Sequence, residues 1–292
     1  MKKGAYTLLI TPFKEDLSLD EEGLRLLVRR QVEAGVHGLA PLGVTGENTL
    51  LTDEEVYRVV EIIVEEAKGK CVIVPDTCTE NLTVAKERAT KYKELGADYV
   101  SVFVPYFVLP KADGIINFYT ELANHSELPI VLHGAKTRTG VELTPEISTT
   151  LAKHPNIVGI KDGNKDLGHL SKVIHLTRND DFILFTGKDT TAYATALMGG
   201  AGTFTVAGNI VPEYMARMLD LVFEGKHLEA KEMHHQYFEV FDSLRFETNP
   251  MAAKAALNIM GLPAGGLRPP LTPLSEGNTE KVRQILQNCK LI

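Results

Sequence analysis

The chain has no tryptophan and only three cysteines, Cys71, Cys78 and Cys289, among its 292 residues. Their odd number and wide spacing give no disulfide framework, and Cys71 and Cys78 lack the second pair of ligands that a zinc site requires. We therefore expect reduced thiols with a structural role, as in cytoplasmic proteins, and we expect no metal site.

Positive charge is also scarce, because 31 Lys and Arg stand against 38 Asp and Glu and give a net charge of -7. This balance argues against nucleic acid or an anionic membrane as the main partner. No run approaches the ~20 apolar residues of a membrane helix, and the apolar stretch 8–10 before Pro12 is too short for a signal peptide. We expect a cytoplasmic protein that acts on small molecules.

The sequence does contain a regular alternation of short apolar runs and helix-like segments over residues 1–211. The apolar runs are 6–10, 38–42, 71–75, 99–104, 129–133, 157–161, 182–185 and 202–206. Regular alternation of strands and helices indicates a parallel sheet, and eight units predict an α/β fold of the (β/α)8 TIM barrel type. A doubly wound open sheet is the alternative, but no G-x-G-x-x-G follows the first run.

After Pro212 the pattern changes to helical segments only, at 212–223, 227–244, 250–260 and 279–288. We interpret residues 212–292 as a helical appendage packed on the barrel formed by residues 1–211.

Lys161 ends the sixth apolar run and precedes turn residues. A lysine at the carboxyl end of a buried strand is costly as an ammonium, so its pKa should fall toward neutrality. A neutral amine can attack a carbonyl and form a Schiff base. The competing interpretation is a salt bridge to a carboxylate such as Asp162 or Glu47.

His133 ends the fifth run, one strand away from Lys161. Side chains alternate along a strand, which predicts Val158 and Ile160 on the helix-facing side and His133 and Lys161 as neighbours inside the barrel rim. An imidazole beside an amine of lowered pKa is a candidate acid–base pair. A buried histidine with a structural role is the alternative for His133 alone.

Two loops at the same rim carry candidate substrate-binding residues. The second strand is followed by Val44, Thr45, Gly46 and Glu47, where glycines around a threonine either expose backbone N–H groups to an anion or form a tight turn. The loop after His133 carries Arg138, which can hold a carboxylate through two hydrogen bonds or remain a solvated loop charge.

The chain resembles the dihydrodipicolinate synthase / N-acetylneuraminate lyase family over essentially its whole length. The resemblance depends on a set of short motifs in order. They are Leu9-Ile10-Thr11-Pro12-Phe13, Gly43-Val44-Thr45-Gly46-Glu47, Arg138-Thr139-Gly140, Gly159-Ile160-Lys161-Asp162, Asn249-Pro250-Met251 and Leu271-Thr272-Pro273-Leu274.

The resemblance implies a (β/α)8 barrel that assembles as a homotetramer, a dimer of dimers. It implies that a 2-keto acid such as pyruvate forms a Schiff base on Lys161 without a cofactor, with its carboxylate held at Thr45 and the adjacent backbone. It also implies that Arg138 binds the carboxylate of the aldehyde partner. Tyr106, in the loop after strand 4, and Phe204, in the last strand, complete the predicted substrate-binding set.

Three residues depart from the synthase pattern. His133 stands where synthases carry a relay tyrosine, Val44 replaces the second loop threonine, and Phe107 replaces a further relay tyrosine. Valine and phenylalanine neither donate nor accept a proton. His133 is therefore the remaining candidate for proton transfer, with Tyr106 as the nearest replacement hydroxyl.

Three functions follow from these observations. The first is a dihydrodipicolinate synthase-like lyase that condenses pyruvate with an aldehyde, aspartate semialdehyde in lysine biosynthesis. The second is an aldolase or dehydratase of 2-keto-3-deoxy sugar acids from the same family. The third, from another class, is a barrel that binds a keto acid without turnover.

Overall fold

Eight parallel strands form the centre of the computed structural model, which describes residues 1–292. The strands are β1 Gly4–Thr7, β2 Gly38–Leu39, β3 Val72–Ile73, β4 Val100–Phe103, β5 Ile130–Gly134, β6 Ile157–Asp162, β7 Ile183–Thr186 and β8 Gly202–Thr205. β1 pairs with both β2 and β8, and a parallel bridge between Asp76 and Ser101 joins the β3 end to β4. The sheet therefore closes into the predicted (β/α)8 barrel.

Thirteen helices surround and extend this sheet. Those of the barrel are α1 Glu21–Glu33, α2 Asp53–Ala67, α3 Leu82–Leu95, α4 Ala112–His125, α5 Lys136–Thr139, α6 Pro145–Leu151, α7 Leu167–Thr177 and α8 Ala192–Leu197. Those that follow are α9 Pro212–Phe223, α10 His227–Gln236, α11 Phe238–Ser243, α12 Met251–Ile259 and α13 Glu276–Asn288. No helix has the length and apolar content needed to cross a membrane.

Local sequence signals set several helix ends. A capping box is present at α2, where the Thr52 hydroxyl accepts from the Glu55 N–H and the Glu55 carboxylate accepts from the Thr52 N–H. The Asn81 side chain caps α3 by accepting from the N–H groups of Thr83 and Val84, and Gly96 ends the helix in the left-handed conformation that glycine adopts without strain. The segment predicted as one helix over 227–244 is two helices, because the backbone leaves the helical conformation at Tyr237.

Strand β6 contains an irregularity that alternation alone did not predict. Ile130 pairs with Ile157, whereas the next residue, Val131, pairs with Gly159, so β6 carries one extra residue. Val158 consequently packs against the cluster inside the barrel, and its predicted helix-facing position is wrong. After the bulge the alternation is as predicted, with Ile160 in the outer core.

The helical appendage shares the core of the barrel. One cluster of 66 buried residues includes Leu24 and Val60 from barrel helices together with Leu219, Leu257 and Leu286 from the later ones. A smaller cluster of 8 residues fills the barrel interior beneath the rim. The appendage therefore contributes to the same hydrophobic interior and stands directly over one side of the rim.

Candidate functional site

Lys161 and His133 lie side by side at the carboxyl end of the barrel, as predicted. They are paired residues of β6 and β5, and the Lys161 Nζ contacts His133 Nε2 in a short hydrogen bond. Both side chains are buried, with 7% and 2% of their surfaces exposed. The lysine is held closely, because a methyl group on Gly187 would lie 2.6 Å from Lys161 Cε.

Asp76 is a third member of this group, and our sequence analysis missed it. His133 Nδ1 lies 2.6 Å from Asp76 Oδ2, which also accepts from the Ser101 hydroxyl at 2.7 Å. The Cys78 N–H donates to the other carboxylate oxygen at 2.8 Å. Asp76 follows β3 at the rim, so the rule that identified Lys161 and His133 would also have found it.

The contacts of His133 define how its two nitrogens are used. Burial, and then the neighbouring Lys161, lower the pKa of His133, which favours the neutral imidazole. An ionised carboxylate only accepts hydrogen bonds, so Nδ1 carries the proton and donates to Asp76. Nε2 is then an acceptor that faces the Lys161 amine, and the imidazole is ready to take a proton from it.

The Lys161 amine has the lowered basicity that the sequence predicted. Burial lowers its pKa from 10.5 to about 8, with Asp76 acting in the opposite direction. The alternative of a salt bridge is not observed. Asp162 Oδ2 lies 2.9 Å from His169 Nε2, and Glu47 is paired with Lys254. Lys161 is therefore free to act as a nucleophile.

A cavity of about 120 Å³ opens above Lys161 and His133. Val44 and Thr45 line one side, and Arg138 lines another, so the structure brings five of the predicted site residues together. A second cavity of about 270 Å³ adjoins it and shares Val44 and Arg138 with it.

The loop after β2 forms a tight turn and also leaves two backbone N–H groups without an acceptor. The N–H groups of Gly46 and Glu47 donate to the carbonyls of Gly43 and Val44, at 3.1 and 3.2 Å. The N–H groups of Val44 and Thr45 have no acceptor within the protein. The Thr45 hydroxyl accepts from Asn249 Nδ2 at 2.9 Å. Two unpaired N–H groups at the cavity wall suit a carboxylate.

Glu47, predicted to bind substrate, has a different environment. Its carboxylate is buried and lies 2.6 Å from Lys254 Nζ, which also donates to the Gly266 carbonyl at 2.7 Å. The Arg268 N–H donates to the second carboxylate oxygen at 3.2 Å. Burial lowers the pKa of Lys254 to about 8, with Glu47 opposing that shift. Glu47 therefore anchors the loop to α12 and does not line the lysine cavity.

Replacing Lys254 with methionine should destabilise the fold, because it leaves the Glu47 carboxylate buried without a counter-charge. Loss of one partner of a buried pair costs about 3–5 kcal/mol of unfolding free energy. Denaturant unfolding measures this loss. The matched control is Lys172→Met, which breaks the exposed Lys172–Glu146 pair and should cost about 0–1 kcal/mol. Equal losses in the two variants would contradict the assignment.

The remaining predicted residues lie away from the amine. Tyr106 lines the adjoining cavity, where its ring packs edge-on against Phe103. Its hydroxyl does not reach the lysine cavity as a replacement relay. Phe204 is buried in the barrel interior and stacks on Tyr6 at 5.2 Å, so it supports the floor of the site and does not line it. Phe107 is exposed to solvent over 86% of its surface.

Lys188, Arg245 and Asn249 are among the lining residues of the lysine cavity that were not predicted. Lys188 follows β7 at the rim, while Arg245 and Asn249 come from the segment between α11 and α12. Lys188 shares the strand-end signal of Lys161. Arg245 and Asn249 carry no such signal, because barrel rules do not specify which part of an appendage covers the rim. No cluster of His, Cys, Asp and Glu side chains is arranged to hold a metal ion.

Sequence comparison relates the whole chain to one family of synthases. Residues 1–289 match the dihydrodipicolinate synthetase family. A 4-hydroxy-tetrahydrodipicolinate synthase of Methanospirillum hungatei is 39% identical over 288 residues, which cover 98% of this chain and 99% of that one. A protein of the same name from Archaeoglobus fulgidus is 36% identical over 294 residues, with full coverage of both chains.

Solved structures show the same relationship. The dihydrodipicolinate synthase of Thermotoga maritima superposes with a TM-score of 0.97 at 32% identity and covers both chains fully. The enzyme of Acinetobacter baumannii, solved with pyruvate, gives the same TM-score, identity and coverage. The fold, the residues at the rim and these matches show that the chain belongs to the dihydrodipicolinate synthetase family, whose members are pyruvate-dependent lyases.

Proposed function

We propose that the protein is a pyruvate-dependent lyase in which Lys161 forms a Schiff base with the keto acid and the pair His133–Asp76 transfers protons. The observation that carries this proposal is the buried Lys161 amine, with a pKa lowered to about 8, in contact with His133 Nε2 beneath a cavity. The 4-hydroxy-tetrahydrodipicolinate synthases among its relatives support the reaction class.

The geometry supplies each proton transfer that imine formation needs. The neutral amine attacks the keto carbon, and the proton that Nζ loses passes to His133 Nε2. The imidazolium returns this proton to the alkoxide, which gives the carbinolamine. His133 then carries the second Nζ proton to the carbinolamine hydroxyl, which leaves as water as the C=N bond forms. Asp76 stabilises the imidazolium between these steps, because its carboxylate lies 2.6 Å from Nδ1.

The keto acid carboxylate is assigned to the loop after β2. The unpaired N–H groups of Val44 and Thr45 line the cavity that holds the Lys161 amine. A carboxylate at these groups directs the adjacent keto carbon toward the amine. No cofactor is needed, because the imine itself withdraws electrons from the neighbouring carbon.

Reduction with cyanoborohydride in the presence of pyruvate tests the proposal. The expected result is one reduced pyruvate adduct per chain, located on Lys161 by peptide mass spectrometry. Absence of an adduct on Lys161, with the protein folded, would refute the proposed function.

The rate of trapping should depend on pH in the direction set by Lys161. At pH 7 a pKa of about 8 leaves about one tenth of the amine neutral, against about 3 in 10⁴ for an unshifted lysine. The rate is therefore expected to rise from about pH 6 and to level off above about pH 8.5, as the amine loses its proton. A rate that still climbs at about pH 10 would show that the pKa is not lowered.

The aldehyde partner is the least constrained part of the proposal. Aspartate semialdehyde, as in lysine biosynthesis, is the first to test because of the relatives' activity. Cleavage or dehydration of a 2-keto-3-deoxy sugar acid is the second candidate. It is favoured by Val44, Phe107 and His133, which replace the three relay hydroxyls of synthases. Measured turnover of either substrate would distinguish both candidates from a barrel that binds keto acids without reaction.

We also propose a cytoplasmic homotetramer. The exposed segment Phe107, Val108 and Leu109 supports assembly, because 61% to 86% of each side chain is open to solvent and such apolar clusters mark contact surfaces. One relative is described as a monomeric variant, so assembly varies among these enzymes. Light scattering of the purified protein measures the oligomeric state, and a monomer at micromolar concentration would contradict the proposal.

A further inference from the structure

Three cationic side chains meet at the far side of the lysine cavity. Arg138, Lys188 and Arg245 all line it, each from a different part of the chain. No carboxylate forms an ion pair with any of them. Arg245 donates only to the Thr190 hydroxyl, at 3.2 Å. Cations on a protein surface are usually paired or dispersed, so three unpaired ones around one cavity call for a ligand.

The positive charges act on one another. Burial lowers the pKa of Lys188, and the next causes are the neighbouring Arg245 and Arg138. Lys188 in turn lowers the pKa of Lys161. The contact between Arg245 and Thr190 ties the appendage to the loop that carries Lys188. The three cations therefore form one electrostatic group a short distance from the nucleophile.

One carboxylate, that of Asp189, lines this cavity beside the three cations. Asp189 is buried and accepts from the N–H groups of Val206 and Ala207, both at 3.2 Å. Burial raises the pKa of Asp189, while Arg245 acts in the opposite direction and Asp189 in turn acts on Lys188. Asp189 can offset one of the three positive charges. The keto acid carboxylate belongs to the opposite wall, at Thr45. An excess of positive charge remains for the rest of the substrate.

We propose that Arg138, Lys188 and Arg245 form a subsite for a terminal group with two negative charges on the second substrate, of which a phosphate monoester is the simplest case. Ligand binding at this subsite does not depend on the proposed imine chemistry. Only the role of the subsite in the reaction rests on the proposed function. Arginine offers paired N–H donors to phosphate or carboxylate, and lysine adds a point charge. A single carboxylate would balance one of the three cations.

Equilibrium titration tests the subsite without turnover. The probes are glycerate, malate and 3-phosphoglycerate, which share one carboxylate and differ at the far end, with a hydroxyl, a second carboxylate and a phosphate. We expect 3-phosphoglycerate to bind at least about tenfold more tightly than malate, and malate more tightly than glycerate. Equal affinities of malate and 3-phosphoglycerate would overturn the proposal.

Two variants and a matched control assign the preference to these residues. Lys188→Met and Arg245→Met should each reduce the preference for 3-phosphoglycerate over glycerate by about tenfold. Lys93→Met removes an exposed lysine outside the cavity and should leave the preference unchanged. A preference that survives both cavity variants would overturn the assignment, as would one that Lys93→Met removes.

Turnover extends the test to the reaction itself. With pyruvate, the kcat/KM for D-glyceraldehyde 3-phosphate should exceed that for D-glyceraldehyde, and the ratio should fall in both variants. The ratio cancels any effect of Lys188 on imine formation. Failure of pyruvate trapping refutes the proposed function, whereas the titration decides the subsite in either case.

Discussion

Replacing Lys161 with alanine is expected to eliminate the pyruvate adduct and turnover together. No other amine forms a hydrogen bond with His133, so the second lysine of the cavity, Lys188, lacks the proton acceptor that the nucleophile needs. Loss of a covalent nucleophile lowers kcat by on the order of 10⁶-fold in well-studied enzymes. Cyanoborohydride trapping with pyruvate and mass spectrometry measure the first effect, and steady-state kinetics measure the second.

Two controls keep this result specific. Lys161→Met retains most of the side-chain volume beside Gly187 and should fail in the same way, with a circular dichroism spectrum and melting temperature like those of the parent. Lys165→Ala removes a neighbouring exposed lysine and should trap pyruvate in full. An adduct of full yield in Lys161→Ala would place the imine on another residue and end the proposal.

Changing the His133–Asp76 pair should slow turnover while the imine still forms. His133→Phe removes the group that takes and returns protons, and loss of general acid–base help lowers rates by about 10²–10⁴-fold. Asp76→Asn keeps the shape but presents an amide to Nδ1. We expect the imidazole to turn its proton toward Lys161, so that turnover falls and its pH profile shifts.

The neighbour Ser101 provides the comparison for this pair. Ser101→Ala removes one of the donors to the Asp76 carboxylate but leaves the hydrogen bond to His133 in place. Its effect on kcat should be less than about tenfold. In the proposed mechanism, Asp76 acts by positioning the His133 imidazole. If Asp76 had only a structural role, the pH profile of Asp76→Asn would match that of the parent protein. That outcome, or full turnover in His133→Phe, would remove the pair from the mechanism.

The barrel and its central pair were accessible from sequence because they depend on local periodicity. Apolar runs of five residues placed Lys161 and His133 at strand ends, and parallel strands bring such ends to one rim. Alternation failed only at Val158, where an extra residue in β6 reverses the facing of one side chain. Gly159, inside the run, is a signal of such a bulge, but alternation alone does not use it.

The rest of the site depends on contacts between distant segments. Glu47 lies in a loop that resembles a substrate site, yet its partner Lys254 is 207 positions further along the chain. Arg245 reaches the cavity because α11 packs beside the loop after β7, which periodicity does not reveal. The strand-end rule also applies to Asp76, but this residue was not predicted, since Pro75 and Thr77 make the segment resemble an ordinary turn.

The ion pair between Glu47 and Lys254 also limits where this chain can be divided into fragments. Residues 1–211 contain all eight strands, but the last part of the chain supplies a wall of the cavity and the Lys254 partner of Glu47. A fragment that stops at residue 211 would lose this ion pair and expose the apolar core surface that the later helices cover. The barrel and the helices that follow it therefore depend on each other. A chimera between family members must take Glu47 and Lys254 from the same parent.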